Sequence, residues 1–270
     1  MIRDITIGQY YPAESRIHKL DPRVKIVCTL LFLISLFLFN SLLGYACATI
    51  FLAGCIKLSK VPLSFILKGI KPLIMLLLIT VLFNLFLTPQ GDVLFQIWIL
   101  KVTEGGLRQA VYMAVRLIYL IIGSSLMTFT TTPNALTDAI EKLLQPLNYI
   151  RVPVHEIAMM MSIALRFIPI LLEETDKIMK AQMARGADFE NGGLLKKIKS
   201  MVPLLVPLFV SAFRRADDLA MAMEARCYHG SQGRTQMKPL IYRRRDMIAY
   251  LILLVYLAVC ITLLFIRRTV

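Results

Sequence analysis

The sequence has 270 residues, of which 57% are hydrophobic and 18% charged, with a formal net charge of +14. A soluble domain is usually about 45–50% apolar, so this composition excludes one and puts the chain in a membrane, where excess Lys and Arg marks cytoplasmic loops against anionic lipid rather than a nucleic-acid surface. Five scattered cysteines without a CxxC pair exclude a disulfide framework and a thiolate metal site.

The stretch ahead of Val24 carries acids and prolines before any apolar run, unlike a signal peptide with its basic start and short apolar core, so the mature protein is expected to keep its N-terminus. Val24 to Ile56 is then almost continuously apolar. As one helix it would reach about 50 Å against a hydrocarbon core of about 30 Å, so it must fold back. Asn40-Ser41, followed by Gly44, is the place, and the basic flanks (Arg23 and Lys25, then Lys57 and Lys60) put both ends on one side.

Lys57, Lys60, Lys68 and Lys71 surround an apolar stripe from Val61 to Ile70, the pattern of a connector helix on the membrane surface. Pro72 opens a third span to about Leu87. Residues 88–106 have turn residues at both ends and a β-prone middle with the single tryptophan, Trp98, which suits the outer face. Leu107 to Thr130 is a fourth span. It carries Arg116, which is costly in lipid and should face the protein interior or a partner and pair there. A last span, Met247 to Ile266, follows Arg243-Arg244-Arg245. The count is five crossings with the N-terminus cytoplasmic; Arg267 and Arg268 then lie on the side that basic residues avoid.

Between residues 133 and 246 charges recur every few positions, so this stretch reads as a cytoplasmic insert. Three helices are expected in it. The first starts at Pro133-Asn134, presents Leu136, Ala139, Ile140, Leu143 and Leu144 at helical spacing and breaks at Pro146. The second runs from Val154 to Arg185 through Pro169 and is capped by Gly186; the third follows Gly192-Gly193, contains Pro203 and Pro207, and ends at Arg226. The expected organisation is a membrane domain over 1–132, a coupling-helix domain over 133–246 and a terminal span over 247–270, an all-α membrane protein.

The ends of the two long helices repeat. TDKIMKAQMARG lies over ADDLAMAMEARC, matching Asp176 with Asp217, Ala184 with Ala225 and Arg185 with Arg226 at one constant interval. A basic residue in a last helical turn ordinarily complements the helix dipole, worth about 0.3–1 kcal/mol. Two matching ends flanked by small residues admit a second reading, in which each tip presents its arginine to a groove on a partner.

No engine is visible. None of the 13 glycines is followed by lysine, so no P-loop exists, and no Asp or Glu occurs between residues 24 and 91 to couple ions. His18, His155 and His229 lack metal-ligand spacing, and His155-Glu156 is the nearest thing to a catalytic pair. No catalytic residue, metal site or cofactor of the chain's own is expected. A self-sufficient permease or channel with a regulatory insert remains the alternative to a transmission element.

Together, GQYYPAESRIHKLDPRVKI at 8–26, the helical insert and the Ala-Arg-Gly and Ala-Arg-Cys tips resemble the transmembrane T component of energy-coupling factor transporters over nearly the whole chain. The resemblance implies a prokaryotic plasma-membrane complex with two ABC-type ATPases, which bind ATP and Mg, and a small substrate-binding S component for vitamins or similar micronutrients. It implies ATPase contacts at Ala184, Arg185, Gly186, Ala225, Arg226 and Cys227, the last standing where glycine is common. It also points to an S-component platform on the first insert helix (Leu136, Ile140, Leu143, Leu144) and the apolar lengths of the two long helices, where the adaptable cluster Met159, Met160 and Met161 suits either exchangeable partners or core packing.

Overall fold

A computed structural model describes residues 10–87, 93–97, 100–187, 193–230, 237 and 239–269. Trp98 and Gly192 lie outside the described residues, as do the side chains of Arg267 and Arg268. Nine α-helices occur among the described residues: α1 (Pro22–Leu38), α2 (Leu42–Ser59), α3 (Leu63–Ile70), α4 (Ile74–Leu87), α5 (Glu104–Thr130), α6 (Pro133–Leu144), α7 (Val154–Ala184), α8 (Leu194–Ala225) and α9 (Arg244–Thr269). The β-prone stretch forms an antiparallel hairpin of β1 (Val93–Ile97) and β2 (Leu100–Thr103).

The chain divides into two compact units, Ile140–Pro239 and Gly8–Ala139 with Leu240–Val270. In the larger unit α1, α2, α5 and α9 pack around Phe32, Leu36, Tyr45, Leu52, Leu253 and Tyr256. Phe51 stacks on Tyr256 at 4.6 Å between ring centres. Ser35 donates to the Phe32 carbonyl at 2.7 Å, which leaves its oxygen to accept from the Tyr256 hydroxyl at 3.0 Å.

The turn between α1 and α2 falls at Asn40-Ser41, where the Ser41 side chain caps α2 by accepting from the Gly44 amide at 3.2 Å. Arg116 of α5 donates to the Asn40 side chain and lies over the Phe37 ring. The arginine therefore turns inward and pairs, tying α5 to the α1–α2 turn.

Among the described residues, five helical stretches are long and apolar enough to cross a membrane: Leu42–Ser59, Leu63–Leu85, Glu104–Thr130, Val154–Ala184 and Arg244–Phe265. Their number equals the expected one, but the set differs. α1, with 17 residues, spans only about 26 Å and falls just short. α7 qualifies because its first half is apolar, whereas the expected set left it out of the membrane. The connector over 61–70 is also not a separate surface helix. Val61 and Ile66 bury against Phe129 of α5, and a 3₁₀ turn at Lys71–Leu73, which holds Pro72, carries α3 into α4 without a break. Pro72 has no amide to donate, and the switch to 3₁₀ geometry falls where that missing hydrogen bond interrupts the α-helical ladder.

A buried polar knot closes the basic end of the larger unit. Asp21 caps α1 by accepting from the Arg23 amide at 2.9 Å and binds the Arg23 guanidinium at 3.0 and 2.8 Å. Asp246, 1% exposed, accepts from the Asp21 amide at 2.9 Å and reaches back to the Arg243 amide at 2.8 Å, half of a capping box for α9. Lys25 donates to the Thr130 carbonyl at 2.7 Å, and the Tyr11 amide donates to Phe129. The starts of α1 and α9 and the end of α5 thus meet at one end of the bundle. Asp21-Pro22 starts α1 as an N-cap followed by proline at the first helical position, and the partner Asp246, 225 residues away, makes it a junction.

His18 belongs to this end. The Tyr11 carbonyl accepts from Nε2 at 2.9 Å, so Nδ1 of the neutral ring accepts from the Ser15 hydroxyl at 2.7 Å. Burial lowers the His18 pKa against the pull of the Tyr11 carbonyl, and the Lys25 charge lowers it further. Burial by itself would raise the pKa of Asp21, but the hydrogen bonds and charge of Arg23 outweigh it and hold the carboxyl below its ordinary value.

Candidate functional site

The smaller unit is built on α7 and α8. Glu174 and Arg215 form an ion pair across them, and the Gln182 side chain donates to the Pro203 carbonyl at 3.2 Å. Moving towards the C-terminus on α7 moves the contact towards the N-terminus on α8, so the helices run antiparallel at their crossing. Glu174 stands as far before Arg185 as Arg215 does before Arg226, and the two are separated by the interval of the repeat itself. No proline interrupts either arm beyond the pair, so each extends about 16 Å at about 1.5 Å per residue, in opposite directions.

The two ends have the same backbone. After α7, the Gly186 amide donates to Met183 at 3.0 Å and the Ala187 amide to Gln182 at 3.0 Å; after α8, Cys227 donates to Glu224 at 2.8 Å and Tyr228 to Met223 at 3.0 Å. This is one Schellman cap made twice, each donor and acceptor displaced by the repeat interval. Gly186 has φ +86° and Cys227 φ +57°, both left-handed. Cys227 therefore makes the glycine-type cap with a side chain that the conformation disfavours.

Ala184, Arg185, Gly186, Ala225, Arg226 and Cys227 are all exposed. Neither tip guanidinium hydrogen-bonds or ion-pairs among the described residues. An unspent planar fork with five donors, beside small residues, is suited to carboxylates or carbonyls on another surface. Sequence reasoning matched the tips but missed the Glu174–Arg215 pair, whose signal was opposite charge at the repeat interval.

On α6 and α7, Ile140, Leu144, Met160 and Met161 are exposed, while Leu136, Leu143 and Met159 are half-buried. Tyr149 and Ile150, in a 3₁₀ turn after α6, are 94% and 77% exposed and were not singled out from the sequence. His155 pairs with Glu141 at 2.9 Å rather than with Glu156, joining the end of α6 to the start of α7. Among the described residues no three His, Cys, Asp or Glu side chains gather as a metal site would require.

Residues 13–237 match the CbiQ family, described as cobalt transport protein. Over 265 residues, 98% of this chain and 97% of the relative, the sequence is 57% identical to the energy-coupling factor transporter transmembrane protein EcfT of Clostridium kluyveri. The chain belongs to the EcfT family. EcfT proteins of Ruminiclostridium cellulolyticum and Bacillus subtilis are 54% and 50% identical over 95% and 91% of this chain, and over 96% and 93% of their own lengths. This EcfT-family chain is accordingly a membrane protein and a non-catalytic component of a transporter.

Proposed function

We propose that this chain is the coupling subunit of an energy-coupling factor transporter in the plasma membrane of a prokaryote, with its N-terminus and residues 133–246 cytoplasmic. Two ABC-type ATPases, which bind ATP and Mg, take up the tips Ala184-Arg185-Gly186 and Ala225-Arg226-Cys227. Their closure displaces α7 and α8, and that movement reorients a small membrane-embedded S component carrying a vitamin or similar micronutrient.

The observation that supports this reading is the equality of the tips. Two identical caps, two exposed arginines and two arms of equal length from one ion pair suit two partners of similar shape placed about 30 Å apart. The exposed apolar side chains of α6 and α7 suit the S component. Ile140 and Leu144 on α6 and the unbranched Met160 and Met161 on α7 are exposed apolar side chains suited to repacking against exchangeable partners; Leu136, Leu143 and Met159, half-buried, are the nearest apolar residues in sequence.

The test is to purify the tagged chain from its native membrane in mild detergent and identify by mass spectrometry what co-elutes. Two P-loop ATPases with one or more small apolar proteins are expected. A chain that elutes alone and still transports substrate in liposomes overturns the reading in favour of a self-sufficient permease.

A further inference from the structure

In the larger unit α1, α2, α5 and α9 enclose a cavity of about 540 Å³, within the range of about 300–1,000 Å³ typical of small-molecule sites. Its walls are apolar, with Phe32 on α1, Leu52 on α2, Leu126 on α5 and Leu253 on α9. Arg16, Lys19, Lys25 and Arg245 also line it, and no acidic residue does among the described residues. Arg16 and Lys19 precede α1, Lys25 is in its first turn and Arg245 is in the first turn of α9, so all four cations sit at the same end.

Two of these charges are committed elsewhere. The Lys25 ammonium donates to the His18 and Thr130 carbonyls, and Lys19 lies 3.5 Å from the exposed Glu14. Arg16 and Arg245 are exposed and make no hydrogen bond or ion pair among the described residues. At the cavity's flank, Ile248 and Ile252 of α9 line the space and are also exposed, which opens it sideways towards the membrane.

An apolar slot between membrane helices, open to the side and headed by two unpaired guanidinium groups, has the shape and charge of an amphiphile with an anionic head. Arginine pairs with phosphate in a bidentate fork, and basic pockets between membrane helices hold anionic headgroups. We propose that this cavity binds one anionic glycerophospholipid, its phosphate held by Arg16 and Arg245 and an acyl chain laid between α1, α2, α5 and α9. The site is separate from the arginine tips and does not depend on the coupling role.

The test is native mass spectrometry of the full-length chain, delipidated in nonionic detergent and mixed with phosphatidylglycerol or phosphatidylcholine. One phosphatidylglycerol per chain is expected at concentrations where phosphatidylcholine leaves it empty. The double variant Arg16→Gln/Arg245→Gln lowers that occupancy by about tenfold or more. Lys57→Gln/Lys60→Gln, which removes the same charge at the same end but outside the cavity, leaves it unchanged. Thr29→Phe, which fills the slot and keeps every charge, lowers it as well. Equal occupancy by the two lipids, or no loss in Arg16→Gln/Arg245→Gln while its melting temperature is retained, overturns the proposal. So does displacement by inorganic phosphate at the lipid's own concentration, which would make the basic mouth a plain anion site.

Discussion

Glu174 and Arg215 pair with each other although they are equivalent positions of the helical repeat. A pair between equivalent positions lies on the approximate symmetry axis of the two helices, and the two tips project equally to either side of it. Both side chains are partly exposed, so the pair contributes only about 0.2–1 kcal/mol. Its use is to fix where α7 and α8 cross. Glu174→Arg should lower the melting temperature slightly and reduce uptake more than stability, and adding Arg215→Glu should restore uptake. If the exchange restores nothing, the pair does not set the crossing.

Arg185→Ala and Arg226→Ala each remove one unpaired fork. Under the coupling reading each should weaken ATPase association by about 2–4 kcal/mol, a hot-spot loss, and the double variant should abolish uptake. Pull-down of the ATPases and vesicle uptake measure this. Normal uptake by the double variant at wild-type expression would sink the assignment.

The caps share their hydrogen bonds and differ at the left-handed position, Gly186 in one and Cys227 in the other. A Cβ at Gly186 meets nothing within 4 Å, so Gly186→Ala tests conformation alone and should cost about 1 kcal/mol. Cys227→Gly should relieve strain by a similar amount, less the backbone entropy of glycine. Opposite shifts in detergent melting temperature are expected; equal shifts would contradict a shared cap.

Asp246 serves two amides from one buried carboxylate. Asp246→Ala leaves the buried Asp21 amide unpaired at a cost of about 1–3 kcal/mol, while Asp246→Asn keeps one acceptor and should fall between. A melting temperature unmoved by Asp246→Ala would remove the knot from the account of stability.

Acid should loosen the same end. The His18 pKa is lowered from 6.5, so its neutral form is favoured by folding: that stability is whole above about 6.5 and is lost as pH falls through the folded value. The Asp21 pKa is lowered from 3.8, so its stability is present above about 3.8 and is lost as pH falls through its folded value. Both effects have the same sign. The melting temperature should decline below pH 6.5 and again below pH 4, and His18→Gln should flatten the first decline. A profile level from pH 7 to 5 would contradict the half-buried neutral imidazole.

The sequence by itself determined the membrane setting, the turn at Asn40-Ser41, the cap at Asp21-Pro22, three helices in the insert and the two arginine tips. These are local signals, carried by hydropathy and by capping residues within a turn or two of the element they mark. Tertiary structure decided the rest. Packing on Phe129 drew the connector helix into the bundle. Asp21 met Asp246, Glu174 met Arg215, and four helix faces left a cavity under Arg16 and Arg245. Such pairings join residues distant in the chain, and no local pattern encodes them because their partners are chosen only when the helices pack.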